Sequence, residues 1–421
     1  MEPGNKEEKN MAKNIVVLGA STSGTIISNM LRRYLKDDWT ITVIDRDDEH
    51  IYQPGLLFVP FGIQKAKSLV KKRHKYIREG INFVIDEITH INCEKRMVKT
   101  KEQDFAYDFL VVATGAYHLI ENTQGLSEVW EKNAFTFWPV TGVAEADNLR
   151  KVLRSFKKGK LVMAIDSLPF KCPVAPIEFS FLADWYFRKK GLRQKIEIEY
   201  VTPMPMAFTK PKASVVFGEL AKEKNIKITT NYQLDRVDGK ERYLESVTGE
   251  KINYDLLVIV PSTEGAKVIS DSGIDDGAGY VPTDKRTLKA IKLDRVYVLG
   301  DATNVPTSKA GSVAHYEADV VCFNIMSEIH GVAPEPIYDG HSTCFIVSEK
   351  NKSLLIDFNY KIEPLFGKFP IPKFGPFTLL KNTRMNWYGK IGFEWIYWNV
   401  LLSGRHLGMP PTLVMAGKEI E

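Results

Sequence analysis

The sequence predicts an α/β chain with two Rossmann-like dinucleotide-binding domains, the first split in sequence, followed by an aromatic-rich C-terminal region. Three observations predict it. Apolar runs rich in β-branched residues lead into glycine turns at residues 14–18 before Gly19, at 109–112 before Thr114-Gly115, and at 296–299 before Gly300-Asp301. An internal echo, Tyr107-Asp108-Phe-Leu-Val-Val-Ala and Tyr254-Asp255-Leu-Leu-Val-Ile-Val, gives two similar sheets each its last strand. Residues 336–421 then change character: rich in Phe, Pro, Gly and Trp, they show little helical periodicity before Asn386.

The first element is a buried parallel strand, 14–18 (NIVVL), with a helix expected over 25–34 and a second strand over 40–44 that ends at Asp45. Between strand and helix, Gly19 allows a tight turn and Gly24 lets the helix pack close to the strand. Ser21 stands where the middle glycine of G-x-G-x-x-G would be. A serine can still approach a phosphate, so Ser21 and Ser23 join Gly19 and Gly24 as candidate contacts. The free amides of the helix N-terminus suit a pyrophosphate. Asp45 suits a ribose hydroxyl, with Arg46 beside it. The later turns add Thr114, Gly115, Gly300 and Asp301 to the same candidate site.

The expected division is 11–118 with 261–335 for the first nucleotide domain, 119–260 for the second, and 336–421 for the C-terminal region. The second domain opens on the strand 160–165 (KLVMAI), but no glycine lies between Gly159 and Gly191. Pro169 and Phe170 put bulk where a backbone would approach a pyrophosphate. NAD(P)H binding is therefore not expected there. Cys172 takes that place, just before a helix expected over 177–190. The helix N-terminus and Lys171 are expected to lower its thiol pKa and favour the reactive thiolate. Cys344 stands in the C-terminal region. Cys93, in a hairpin, and Cys322, on an apolar helix face, read as structural.

The C-terminal region holds four phenylalanines from Phe366 to Phe377. Residues 386–404 then carry Trp387, Trp395 and Trp398 with Tyr388 and Tyr397, and only two charged residues. Such a segment spans a bilayer poorly but suits the membrane–water interface. Residues 361–421 contain eight Lys/Arg against four Asp/Glu, which suits anionic lipid.

Composition sets the outer limits. A chain of 421 residues suits two or three domains. With 44% hydrophobic and 26% charged residues it is neither disordered nor a polytopic membrane protein. The net charge of +5 is not gathered into long blocks, so no nucleic-acid partner is expected. Four cysteines without a C-x-x-C pair argue against a secreted disulfide framework and against a metal site. Met1 to Lys13 is polar, without the apolar stretch of a secretory signal, so a cytoplasmic placement is expected.

The three glycine segments resemble the two-dinucleotide-domain flavoproteins, in which the Gly-Asp turn closes over FAD. Further motifs narrow the resemblance: Cys172-Pro-x-Ala-Pro-x-Glu178, Gly340-x-x-x-Cys344, Tyr52-Gln-Pro-Gly, Asp357-Phe-Asn-Tyr360 and Lys390-Ile-Gly-Phe-Glu394. Along nearly its whole length the chain is similar to the sulfide:quinone oxidoreductases and flavocytochrome c sulfide dehydrogenases. The resemblance implies FAD-dependent oxidation of sulfide to polysulfide or sulfur, with electrons passed to membrane quinone. It implies that Cys172 and Cys344 cycle between a sulfur bridge and thiols beside the flavin. Lys309 would face the flavin edge that gains negative charge on reduction. Phe345, Phe366 and Lys390 would lie at the quinone, and the enzyme would sit peripherally on the cytoplasmic face of the cell membrane. Residues 116–139 and the Tyr52 region lack the further cysteine some members carry, which implies noncovalent FAD. The residues leave three alternatives: a type II NADH:quinone dehydrogenase-like flavoprotein, a sulfide dehydrogenase with a cytochrome acceptor, and a redox-inert FAD scaffold. Homo-oligomerisation stays open.

Overall fold

Two parallel five-stranded sheets organise the protein, as a computed structural model describing residues 13–419 shows. Residues 1–12 hold most of the polar N-terminal stretch and the first two residues of the expected 11–118 segment. They lie outside the described residues, as do 420–421 at the end of the expected 336–421 region.

The first sheet takes β1 (Lys13–Leu18), followed by α1 (Thr22–Tyr34), then β2 (Trp39–Asp45), β3 (Asn82–Ile85) and β4 (Phe109–Val112). The second sheet takes β5 (Ala134–Phe135), β6 (Gly159–Ile165), β7 (Ile196–Val201) with α2 (Ala175–Lys189) between those two, β8 (Ile226–Thr229) and β9 (Leu256–Val260). The chain then returns to the first sheet with β10 (Val296–Val298) and continues into α3 (Gly311–Ile329). Strand orders are β10-β4-β1-β2-β3 and β5-β9-β6-β7-β8, with every pairing parallel. Parallel strands are covered on both faces, which is why β4 and β9 read as unbroken apolar runs and are wholly buried.

The internal echo has a physical counterpart. Asp108 precedes β4, which flanks β1, and Asp255 precedes β9, which flanks β6. The Asp108 carboxylate accepts from the Asn14 amide at 2.8 Å, and that of Asp255 from the Lys160 amide at 2.7 Å. In the first sheet β4 is thus tied to β1, and in the second β9 to β6, by these two aspartates. A three-stranded antiparallel sheet precedes each of them, within 88–106 and 234–253.

Helix α1 starts three residues before the expected Thr25. Gly24 lies inside its first turn, where a side chain would meet the Gly19 carbonyl. Helix α2 starts two residues before the expected Ile177, since Pro176 is tolerated in a first turn. It is buried almost all round between the second sheet and the C-terminal region.

The C-terminal region contains more regular structure than its periodicity suggested. β11 (Ser342–Glu349) and β12 (Lys352–Phe358) form one antiparallel hairpin, β13 (Gly367–Ile371) and β14 (Gly375–Leu379) another. Helix α4 (Arg384–Ile396) packs on β11, β12 and β14 and passes into a π-helical turn, Tyr397–Leu401. Among the described residues no helix is long and apolar enough to cross a membrane.

Candidate functional site: a nucleotide edge and a two-cysteine centre

Four of the first sheet's loops leave its carboxyl edge side by side, where α/β folds bind ligands. Gly19 has a φ of +95°, and a side chain there would lie 2.5 Å from the Ala113 carbonyl, so the turn after β1 presses on the Thr114-Gly115 turn after β4. A side chain at Gly300 would lie 2.1 Å from the Ser23 hydroxyl, which brings the Gly-Asp turn after β10 onto the start of α1. The Ala20 amide donates to Asp45 at 2.6 Å. The sequence-predicted set Gly19, Ser21, Ser23, Gly24, Asp45, Thr114, Gly115, Gly300 and Asp301 therefore gathers at one edge. Arg46 stands at its rim, its guanidinium over the Tyr117 ring at 5.4 Å.

This edge fits a dinucleotide. Ser21 occupies the N-cap of α1 without capping it, which leaves first-turn amides to be met from outside. Among the described residues the buried Thr114 hydroxyl has no partner, and nothing lies within 4 Å of the Cβ position of Gly115. Asp45 is more constrained than expected: besides Ala20 it accepts from the Arg46 amide and pairs with Arg73. Lys309 is turned inward. Its ammonium donates to the carbonyls of Asp301 and Thr303, each at 2.9 Å, and lies 4.0 Å from the centre of the Tyr280 ring. Burial lowers its pKa.

The backbone of Lys309 reaches the second domain: its carbonyl accepts from the Cys172 amide at 2.8 Å. Cys172 is held with φ at +50°, a left-handed conformation that costs an L-residue about 1–2 kcal/mol. The expected lowering of its pKa is not found. Burial pushes the Cys172 thiol up to about 12, and Glu178 and Cys344 add to the shift. Pro173 and Val174 separate it from the first helical residue of α2. Lys171 is turned toward Asp301, with Nζ 3.8 Å from the carboxylate. Burial likewise pushes Cys344 up to about 11, opposed by Lys390 and by the Ser312 hydroxyl 3.9 Å from its sulfur. All four cysteines are free thiols.

α2 packs against β11, and this contact carries the Cys172 loop to Cys344. The two sulfurs share one buried ion pair. Glu178, one turn into α2, accepts from the Val347 amide at 2.7 Å and from Lys390 at 3.2 Å. Lys390, on α4, also donates to the Phe345 carbonyl at 2.9 Å. Burial opposes its charge, but Glu178 and the two sulfurs outweigh it and raise the lysine pKa. Phe345 meets Phe377 edge-on at 5.2 Å, and both pack on Gly389. Phe366 stands apart: no aromatic contact among the described residues joins it to Phe345, and its carbonyl holds the Glu419 amide.

Several residues escaped the sequence reading. Glu178 lay inside a quoted motif, and its spacing from Cys172 was the available signal. Asp357 pairs with His341 at 2.7 Å, accepts from Thr343 at 2.7 Å and from Lys418 at 2.8 Å, and so braces the strand carrying Cys344. The Tyr397 hydroxyl bonds both Thr22, at 2.7 Å, and the buried His50, at 2.6 Å. It joins the C-terminal turn to the nucleotide edge, and no local pattern announces that contact.

No family model matches the chain. Comparison with known proteins finds 30% identity over 418 residues to the mitochondrial sulfide:quinone oxidoreductase of Dictyostelium discoideum, covering 96% of this chain and 90% of the relative. The mitochondrial sulfide:quinone oxidoreductase of Mus musculus is 26% identical over 408 residues, covering 93% of this chain and 88% of the relative. The sulfide:quinone oxidoreductase structure from Aquifex aeolicus superposes with a TM-score of 0.77 at 19% identity, covering 94% of this chain and 92% of that one, and shows the same fold. The chain, an oxidoreductase, belongs to the sulfide:quinone oxidoreductase family.

Proposed function

We propose that this enzyme oxidises sulfide through Cys172 and Cys344 and delivers the electrons by way of noncovalently bound FAD to a membrane quinone. The observation that carries the reading is the meeting of two cysteines, one from the second domain and one from the C-terminal region, around the Glu178–Lys390 pair. On this reading residues 11–118 and 261–335 bind FAD, 119–260 form a second domain that binds no NAD, and 336–421 serve quinone and membrane. When bound, FAD supplies the two-electron acceptor beside the sulfurs.

The cycle starts once the two free thiols have given up two electrons and two protons to form a Cys172–Cys344 disulfide. Hydrosulfide attacks one sulfur, the S–S bond breaks, and the products are a persulfide on one cysteine and a thiolate on the other. Transfer of two electrons to the acceptor, with loss of one proton, then closes a three-sulfur bridge; a second hydrosulfide opens it at the central sulfur, and the freed thiolate re-forms the disulfide as HSS⁻ leaves. Burial disfavours any thiolate here, so the Lys390 ammonium and the Ser312 hydroxyl stabilise the charge during this step. Glu178 orients that ammonium. Lys390 also touches the Phe345 backbone, which places the same cation beside Phe345 of the proposed quinone site.

The outer face of α4 supports a peripheral seat on a quinone-bearing membrane, and the reading places the enzyme on its cytoplasmic side. Tyr388, Ile391 and Trp395 follow one helical stripe and stand exposed, as do Ile371 and Phe374 at the neighbouring hairpin tip. Interfacial aromatics of this kind anchor peripheral enzymes.

Anaerobic titration of the purified yellow protein tests the reading. Sulfide alone should bleach the flavin's visible absorption, and Cys172→Ser and Cys344→Ser should each abolish bleaching while keeping FAD bound. Bleaching by NADH but not by sulfide would overturn it in favour of an NADH dehydrogenase. Normal turnover of either serine variant would remove the cysteine assignment.

A further inference from the structure

The FAD-side segment 65–78 carries seven Lys/Arg and no Asp/Glu. It folds as two short 3-10 turns, Ala66–Leu69 and Arg73–Tyr76, around the strand Val70–Lys72. Ala66, Leu69 and Arg73 point inward and anchor it. Arg73 serves Asp45 and Asp47 at the nucleotide edge. Lys65, Lys67, Lys72, Lys75 and Arg78 face outward. Lys72 reaches Asp48 at 4.0 Å, but Lys65, Lys67 and Lys75 have no ion-pair partner among the described residues. An exposed run of like charges repels itself, and neither FAD binding nor sulfide chemistry uses it.

Its position supplies a reason for it. Lys71 Nζ lies 4.3 Å from the centre of the Trp398 ring, Tyr76 packs on the same ring at 4.9 Å, and Gln64 donates to Glu394 at 2.6 Å. The basic segment thus borders the end of α4, whose outer stripe exposes Tyr388, Ile391 and Trp395. Cations beside an apolar aromatic stripe match a bilayer with anionic headgroups: the rings enter the interface while the ammonium groups meet phosphates. A nucleic acid would leave the aliphatic part of the stripe, Ile391 with Met385, without a partner. We propose that segment 65–78 is an anionic-phospholipid binding surface that fixes how the enzyme sits on the bilayer. The inference rests on the reading of the α4 face as membrane-docking.

The test uses the FAD-loaded full chain and two vesicle types, phosphatidylcholine alone and phosphatidylcholine mixed with phosphatidylglycerol. Sedimentation should show tighter binding to the mixed vesicles, weakening as salt rises. The triple variant Lys65→Gln, Lys67→Gln, Lys75→Gln should lose about 100-fold in affinity for mixed vesicles. It should bind neutral vesicles like the parent and keep sulfide-driven bleaching and turnover with a water-soluble quinone. Equal binding of the parent to both vesicle types would overturn the inference, as would parent-like binding of the triple variant to mixed vesicles. Displacement from mixed vesicles by RNA at lower charge concentration than by free phosphatidylglycerol micelles would also overturn it. Loss of bleaching by sulfide with lipid binding intact would instead remove the proposed chemistry and leave this surface standing.

Discussion

At Glu178, a carboxylate is buried beside two sulfurs, and only specific partners make that tolerable. Val347 donates a backbone hydrogen bond, and Lys390 supplies the opposite charge. One carboxylate oxygen has no hydrogen-bond partner among the described residues, so the pair has little to spare. Removing one member of a buried ion pair leaves an uncompensated charge, at a cost of about 3–5 kcal/mol. Lys390→Met should therefore lower the unfolding free energy by about that amount in urea titrations followed by tryptophan fluorescence. The double variant Lys390→Met with Glu178→Leu should recover most of the loss. A double variant no more stable than the single one would show that the two residues are not an energetic pair.

Helix α4 works as an element with two faces. Inward, Trp387 meets Phe58 edge-on at 6.0 Å, and the Asn386 side chain bonds Thr378 and the Lys381 carbonyl. Thr383 caps its start through the Asn386 amide. Outward, Trp395 is 65% exposed and Tyr388 64%. Rings this exposed contribute little to the fold, so Trp395→Ala with Tyr388→Ala should leave the melting temperature near that of the parent. The same variant should bind neutral phosphatidylcholine vesicles about tenfold more weakly, which corresponds to about 1.4 kcal/mol. Unchanged vesicle binding would show that this stripe does not seat the enzyme on lipid.

Across the whole molecule, stability should carry a pH signature from Glu317. This fully buried residue of α3 accepts from the Gly300 amide at 2.5 Å, and burial raises its pKa from 4.5 to about 8. The folded protein thus holds a proton that the unfolded chain gives up above pH 4.5. The contribution is full below the unfolded value and is lost as pH rises through the folded value of about 8. Its size is on the order of 5 kcal/mol. Thermal unfolding between these limits should therefore show stability falling with pH, and Glu317→Gln should flatten that slope. An unchanged slope in the variant would assign the proton to another group.

The glycine turns, the Gly-Asp segment, both parallel sheets and the candidate nucleotide residues were legible in the sequence, since each depends on a few adjacent residues. The echo of Asp108 and Asp255 was legible for the same reason: one local motif closes one strand pair. The proline- and glycine-rich hairpins of the C-terminal region were not, because their strands lack the alternation that marks a half-buried sheet. The surroundings of the cysteines were decided only in three dimensions. From adjacent residues, Cys172 has a helix start and a lysine to favour its thiolate. In the fold, burial outweighs both, Lys171 turns to Asp301, and the cation that reaches the sulfurs comes from Lys390, more than two hundred positions away. Desolvation and long-range charge depend on which surfaces meet, and a linear sequence holds no direct record of that meeting.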